Sequence, residues 1–173
     1  DKAMEFNYTA MACFITAYAR RVTIQAIQGV GGLNKDSRFC YADTDSLHIT
    51  GRELPQIWID SKELGAWKHE SCWTYAKFLR PKAYLEEILM IKNKVETKDD
   101  YESLDFNNYD YKKLEIKCSG MQDRMKPLVT KENFKVGFKV LADDPTIPKK
   151  YKNLSPVAVK NGIILVPHDF QIK

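Results

Sequence analysis

Arg38-Phe39-Cys40-Tyr41-Ala42-Asp43-Thr44-Asp45-Ser46-Leu47-His48-Ile49-Thr50 places two carboxylates two residues apart between runs rich in aromatic and β-branched residues. That pattern predicts two short strands meeting at a tight polar tip, a β-hairpin. Carboxylates at such a tip stand clear of the sheet and can share a divalent cation. Hard ions such as Mg²⁺ are held by one or two carboxylates plus substrate phosphate oxygens. The pattern therefore suits two-metal phosphoryl transfer. It also has a structural reading, because Asp and Ser side chains bond turn backbone. An EF-hand is excluded: Leu47 and His48 stand where a third oxygen ligand and a glycine are needed.

The six residues Tyr41 to Ser46 resemble motif C of the family B DNA polymerases, Tyr-x-Asp-Thr-Asp-Ser, without a mismatch. Leu79-Arg80-Pro81-Lys82-Ala83-Tyr84 resembles the Lys-x-Tyr element that the family places against the primer strand. Three later segments are similar to the C-terminal end of the protein-primed polymerases of small bacteriophages and linear plasmids. They are Lys117-Cys118-Ser119-Gly120-Met121, Glu132-Asn133-Phe134-Lys135-Val136-Gly137-Phe138 and Gly162-Ile163-Ile164-Leu165-Val166. Phe14-Ile15-Thr16-Ala17-Tyr18-Ala19-Arg20 resembles the segment before motif C there.

The resemblance implies an α+β fold: part of an antiparallel palm sheet with packed helices over residues 1–116, then a small, mainly β thumb over 117–173. It implies that Asp45 binds the catalytic metal directly (Mg²⁺, or Mn²⁺ in its place), that Asp43 supports it, and that Tyr41 positions the nucleotide. Lys82 and Tyr84 are implied to meet the primer strand, and Lys117 and Lys135 to face duplex DNA. The implied partners are primer–template DNA, deoxynucleoside triphosphates, a terminal priming protein, and the upstream palm, fingers and exonuclease regions. Motif A and the fingers lysine precede motif C in the family, and nothing before Asp43 resembles them. The chain thus reads as the C-terminal piece of a DNA-directed DNA polymerase, inactive alone. The rival reading is a non-catalytic DNA- or protein-binding module derived from a polymerase.

Composition agrees with a globular protein: 44% of the 173 residues are hydrophobic and 29% charged. No apolar run is long enough to span a bilayer and residues 1–8 lack a signal-peptide pattern, so the expectation is a soluble intracellular protein. The polymerase resemblance implies a cytoplasmic, phage-encoded protein or one of a bacterial host cell. Cys13, Cys40, Cys72 and Cys118 lack Cys-x-x-Cys spacing and read as reduced, mostly buried thiols. His48, His69 and His168 lack ligand spacing, and Trp58, Trp67 and Trp73 read as packing residues. Residues 1–111 carry 14 Lys/Arg against 17 Asp/Glu, whereas 112–173 carry 13 against 6. A basic tail of that kind suits a surface that follows phosphates, or a solvated face.

Met11, Phe14, Ile15, Tyr18, Val22 and Ala26 repeat at helical spacing, predicting a helix from Ala10 to about Gln28, capped by Thr9 and stopped by Gly29, Gly31 and Gly32. Beyond the hairpin, the expectations are a helix near 56–64 and strands near 70–80, 84–94 and 114–118. Residues 97–111 are expected as a mobile loop, 122–128 as a short helix, and 130–134 as a further helical turn. Strands at 134–141 and 162–166 are expected to be joined by the Pro- and Lys-rich stretch 143–160. Lys82 and Tyr84, at i and i+2, are expected to share a strand face.

Overall fold

The computed structural model describes residues 8–54, 57, 59–91 and 95–173. Two compact units divide the chain: residues 1–70 with 93–104, and residues 71–92 with 105–173. The fold is α+β, with small antiparallel sheets and one long helix.

In the first unit, α1 (Thr9–Gly29) follows the expected apolar spacing. Thr9 is its first helical residue, so the cap position falls on Tyr8, which makes no side-chain capping bond. At the other end the Gly32 N–H donates to Ile27 C=O (2.9 Å) and the Gly31 N–H to Gln28 C=O (3.1 Å). These paired bonds form a Schellman motif, which needs a left-handed residue just past the helix; Gly31 supplies it at φ 103°. A side chain there would also press on the Ser37 backbone, 3.0 Å from its Cβ. Among the described residues, α1 packs through its last third, by buried Thr23 and Ala26, against the hairpin of β1 (Phe39–Asp43) and β2 (Ser46–Ile49).

The helix expected near 56–64 is not present among the described residues there. Ile59 pairs instead with Trp67 and Asp60 with Thr97 in isolated bridges, because partners distant in sequence satisfy that backbone. Residues 55, 56 and Trp58 lie outside the described residues. The stretch expected as a loop over 97–111 begins with a short helix, α2 (Lys98–Glu102). It forms because Thr97 and Asp100 make a reciprocal capping box.

In the second unit, β3 (Cys72–Arg80), β4 (Ala83–Met90) and β5 (Tyr111–Cys118) form an antiparallel sheet in the order β3-β4-β5. The expected strands are all here; residues 92–94 of the second lie outside the described ones. Residues 123–128 form a 3₁₀ turn, with Pro127 inside it, rather than an α-helix. Residues 131–133 are a turn, in which the Phe134 N–H reaches Thr130 C=O (3.0 Å). The strand expected over 134–141 shrinks to β6 (Lys139–Val140), paired with β9 (Phe170–Gln171). The connection expected over 143–160 contains a strand of its own, β7 (Asn153–Val159), paired along its length with β8 (Gly162–His168). Leu85, Ile116, Met121, Met125, Phe134, Val140 and Ile172 close one core that runs from the sheet through the 3₁₀ turn to the C-terminus. The line between residues 116 and 117 falls inside β5, so this core lies on both sides of it.

All four cysteines are free, but none is buried: Cys13 is exposed and the others are half-buried. Partial burial still pushes the Cys72 thiol up to about 11. Trp67 and Trp73 are half-buried. Among the described residues, no helix is long and apolar enough to cross a membrane.

Candidate active site and nucleic-acid interface

The hairpin pairs Tyr41 with His48, Ala42 with Leu47 and Asp43 with Ser46, leaving Thr44 and Asp45 as its two-residue tip. The Asp45 N–H donates to the Asp43 carbonyl at 2.7 Å, closing a three-residue turn about Thr44 at φ 56°. This is the strained hand of the γ-turn, and a β-branched residue at positive φ adds to the cost. Such strain is worth on the order of 1–3 kcal/mol and persists where the surroundings enforce it. Here the Ser46 hydroxyl also donates to the Asp43 carbonyl (3.1 Å), and the Thr23 hydroxyl of α1 donates to the Thr44 carbonyl (3.2 Å).

The two carboxylates differ in setting. Half-buried Asp43 accepts from the Thr44 hydroxyl (3.0 Å) on one oxygen and from the Tyr41 hydroxyl (3.4 Å) on the other. Asp45 is exposed, and among the described residues its carboxylate makes no hydrogen bond or ion pair. One carboxylate is thus oriented by its neighbours and the other is presented to solvent. An all-oxygen pair of this kind fits Mg²⁺, which keeps several waters and takes further ligands from phosphate. Among the described residues, no group of three or more His, Cys, Asp and Glu forms a metal cage. Three features of this tip escaped the sequence reading. The Thr44 hydroxyl binds the Asp43 carboxylate, His48 packs on the Tyr41 ring (5.4 Å between centroids), and Thr23 bonds the turn from 21 residues away.

The expected basic interface gathers on the second unit. Lys82 is not on a strand: with Pro81 it makes the β3–β4 turn, at φ 59°, and its carbonyl accepts from the Ser119 N–H (2.8 Å). The i, i+2 argument therefore fails for Lys82, because a left-handed residue breaks the alternation of faces. Tyr84 does lie on β4, facing Phe78 (5.8 Å between ring centroids) and paired directly with Lys117 of β5. The Lys-x-Tyr element and Lys117 thus meet at one end of the sheet. Lys135 lies elsewhere, in an exposed bend before β6. Arg80, not singled out in the sequence, adds a cation beside this turn; its Nε is buried without a hydrogen-bond partner among the described residues.

Part of the basic tail is used internally. Lys131 and Lys112 both pair with Glu87, which also accepts from the Thr74 hydroxyl at 2.8 Å. The Lys131 hydrogen bond, followed by that of Thr74, holds the Glu87 carboxyl down at about 2. Lys113 and Lys117 flank Glu115 at 3.1 and 3.2 Å, and buried Lys152 donates to the Ala142 carbonyl at 2.6 Å. The histidines are structural: His69 packs on Tyr101, and His168 bonds Asn153 and Ser155.

No protein-family model matches the chain. It is 41% identical over 175 residues to the DNA polymerases of Bacillus phages PZA and phi29, matches that cover 96% of this chain and 26% of each relative. The DNA polymerase of Streptococcus phage Cp-1 is 35% identical over 130 residues, covering 75% of this chain and 19% of that protein. Solved structures of the phi29 DNA polymerase with primer–template DNA, and with primer–template DNA and incoming nucleotide substrates, superpose with a TM-score of 0.75 at 40% identity. Each covers 96% of this chain and 26% of the polymerase. The chain therefore spans about a quarter of the length of these relatives. Sequence and fold agree along nearly all of it, and the chain is a homologue of the C-terminal part of the phi29-like protein-primed DNA polymerases.

Proposed function

We propose that this chain is the C-terminal palm and thumb part of a DNA-directed DNA polymerase that adds deoxynucleotides to a primer 3′-hydroxyl. The observation that carries the reading is the hairpin tip, where Asp43 is held by Tyr41 and Thr44 while Asp45 is left open. Asp45 and Asp43 would hold Mg²⁺ or Mn²⁺, with phosphate oxygens of the incoming nucleotide completing the shell. Bound there, the ion would neutralise charge on the transferred phosphoryl group. Tyr41 keeps the Asp43 carboxylate turned toward the tip and offers its ring edge to the nucleotide. Thr44 and Ser46 fix the turn geometry.

In the second unit, Lys82, Tyr84 and Lys117 form a cluster suited to a nucleic-acid backbone: ammonium groups for phosphates and a ring and hydroxyl for a sugar or base. Lys135 adds a phosphate contact from its exposed bend. Residues 1–116 are assigned to the palm and 117–173 to the thumb. The upstream palm, fingers and exonuclease regions supply the third metal-binding carboxylate and the triphosphate-binding lysine, and a terminal protein supplies the priming hydroxyl. The enzyme would work in the cytoplasm of the host cell. The rival reading, a non-catalytic binding module, shares the DNA-binding surface but has no use for a strained carboxylate turn.

The test has two arms. The isolated chain, given primer–template DNA, labelled nucleotides and Mg²⁺ or Mn²⁺, should bind DNA in a salt-dependent way and incorporate nothing. A chimera, the phi29 polymerase with its matched C-terminal quarter replaced by this chain, should incorporate. Incorporation by the isolated chain, or a folded, DNA-binding chimera that incorporates nothing, contradicts the reading.

A further inference from the structure

Met11, Phe14, Ile15, Tyr18 and Val22 lie between 46% and 67% exposed on α1. At 3.6 residues per turn they fall within an arc of about 100°, the width of a stripe that normally faces a core. Yet no residue of α1 before Thr23 is buried. An unsupported helical segment of about 14 residues is marginal in water, and a contiguous apolar stripe of this size marks a contact surface. We propose that the stripe is the docking surface for the polymerase region that the relatives carry upstream of the matched quarter. This rests on the polymerase reading above. The relatives hold about three-quarters of their length outside the match, and in them that length is what such a stripe would meet. A second copy of this chain is a poorer occupant. Between Thr9 and Gly29 the helix carries no acidic residue, and Arg21 borders the stripe, so a second copy would offer that cation no opposite charge.

Hydrogen exchange and thermal melting of the isolated chain and of the chimera test this without reference to activity. Amides of residues 9–22 should exchange fast in the isolated chain and be protected in the chimera. A Phe14→Glu, Tyr18→Glu double variant should leave the melting of the isolated chain unchanged and lower both melting temperature and α1 protection in the chimera. Equal melting of parent and variant chimeras overturns the proposal. So does self-association of the isolated chain that the double variant abolishes. A chimera stabilised through the stripe that incorporates no nucleotide would instead count against the catalytic reading alone.

A separate observation concerns Thr23. Thr16, on the same helix and exposed, donates to its own helix at Ala12 and Cys13, the usual habit of a helical threonine. Buried Thr23 donates instead to the carbonyl of Thr44, the strained residue between the two carboxylates. The structure assigns Thr23 as a positioning residue that holds the carboxylate turn in its left-handed form. Thr23→Val removes the donor at nearly constant volume and leaves the Thr44 carbonyl without that bond, while Thr23→Ser keeps a hydroxyl. One hydrogen bond of this kind corresponds to about a tenfold change. In the chimera, Thr23→Val should lower kcat about tenfold with little change in KM for nucleotide, and Thr23→Ser should restore it. In the isolated chain, Thr23→Val should speed amide exchange at Asp45. Parental kcat in Thr23→Val, or an equal loss in Thr23→Ser, overturns the assignment.

Discussion

Tyr84 and Lys117 stand directly opposite each other on β4 and β5, although 32 residues separate them in sequence. That pairing joins the Lys-x-Tyr element to the first lysine of the C-terminal segments. Glu115, two residues before Lys117 on the same strand, pairs with its ammonium group and with that of Lys113. If this end of the sheet follows a phosphate backbone, Lys82→Ala and Lys117→Ala should each weaken DNA binding on all sequences alike. Each should flatten the slope of log K against log salt by roughly 0.9. Glu115→Gln should do the opposite by releasing both lysines. Titrations at several salt concentrations check all three.

Glu87 gives the second unit a predicted acid sensitivity. Its carboxyl is held at about 2, below the ordinary 4.5, by Lys131 first and Thr74 next. A depressed carboxyl contributes stability that is present above the unfolded value and lost as pH falls through the folded one. The melting temperature should therefore drop between about pH 4.5 and pH 2, and Glu87→Gln should flatten that part of the profile while lowering stability at pH 7.

Phe134 is fully buried at the centre of the core, whereas nearby Val136 is exposed. Phe134→Ala should cost about 3–5 kcal/mol of unfolding free energy. Val136→Ala should stay within about 0.5 kcal/mol of the parent, as exposed substitutions do. Denaturant unfolding followed by tryptophan fluorescence distinguishes the two.

Thr44 separates stability from chemistry. Thr44→Gly relieves the positive φ, and the gain is of order 1 kcal/mol or less once the lost bond to Asp43 is counted. The isolated variant should melt no lower than the parent, while the chimera carrying it should incorporate nucleotide more slowly.

The legible parts of this fold were those with local causes. The motif C hairpin follows from alternation around a polar two-residue tip, and α1 follows from apolar spacing and a glycine stop. Two local signals were present but outweighed: the Thr97–Asp100 capping box inside an acidic, Asn-rich stretch, and the Lys160-Asn161 loop followed by Gly162, which closes the β7–β8 hairpin after a Lys- and Pro-rich run. Pro156 within β7 argued against a strand there. The bridges of Ile59 to Trp67 and Asp60 to Thr97, and the β6–β9 pair, have no local cause; they depend on which backbone a tertiary fold brings alongside. At the site, the carboxylates could be read from the motif, but the bonds that set their geometry could not. The Thr44 hydroxyl, its left-handed φ and the Thr23 donor depend on rotamers and on a helix packed from elsewhere.

The central claim is that Asp45 acts as a metal-binding carboxylate of a polymerase. The most direct measurement is nucleotide incorporation by the chimera with and without Asp45→Ala, at matched primer–template occupancy. The account predicts incorporation by the parent chimera and its loss in Asp45→Ala, with DNA binding equal or slightly tighter because negative charge is removed. Incorporation that survives Asp45→Ala would contradict it.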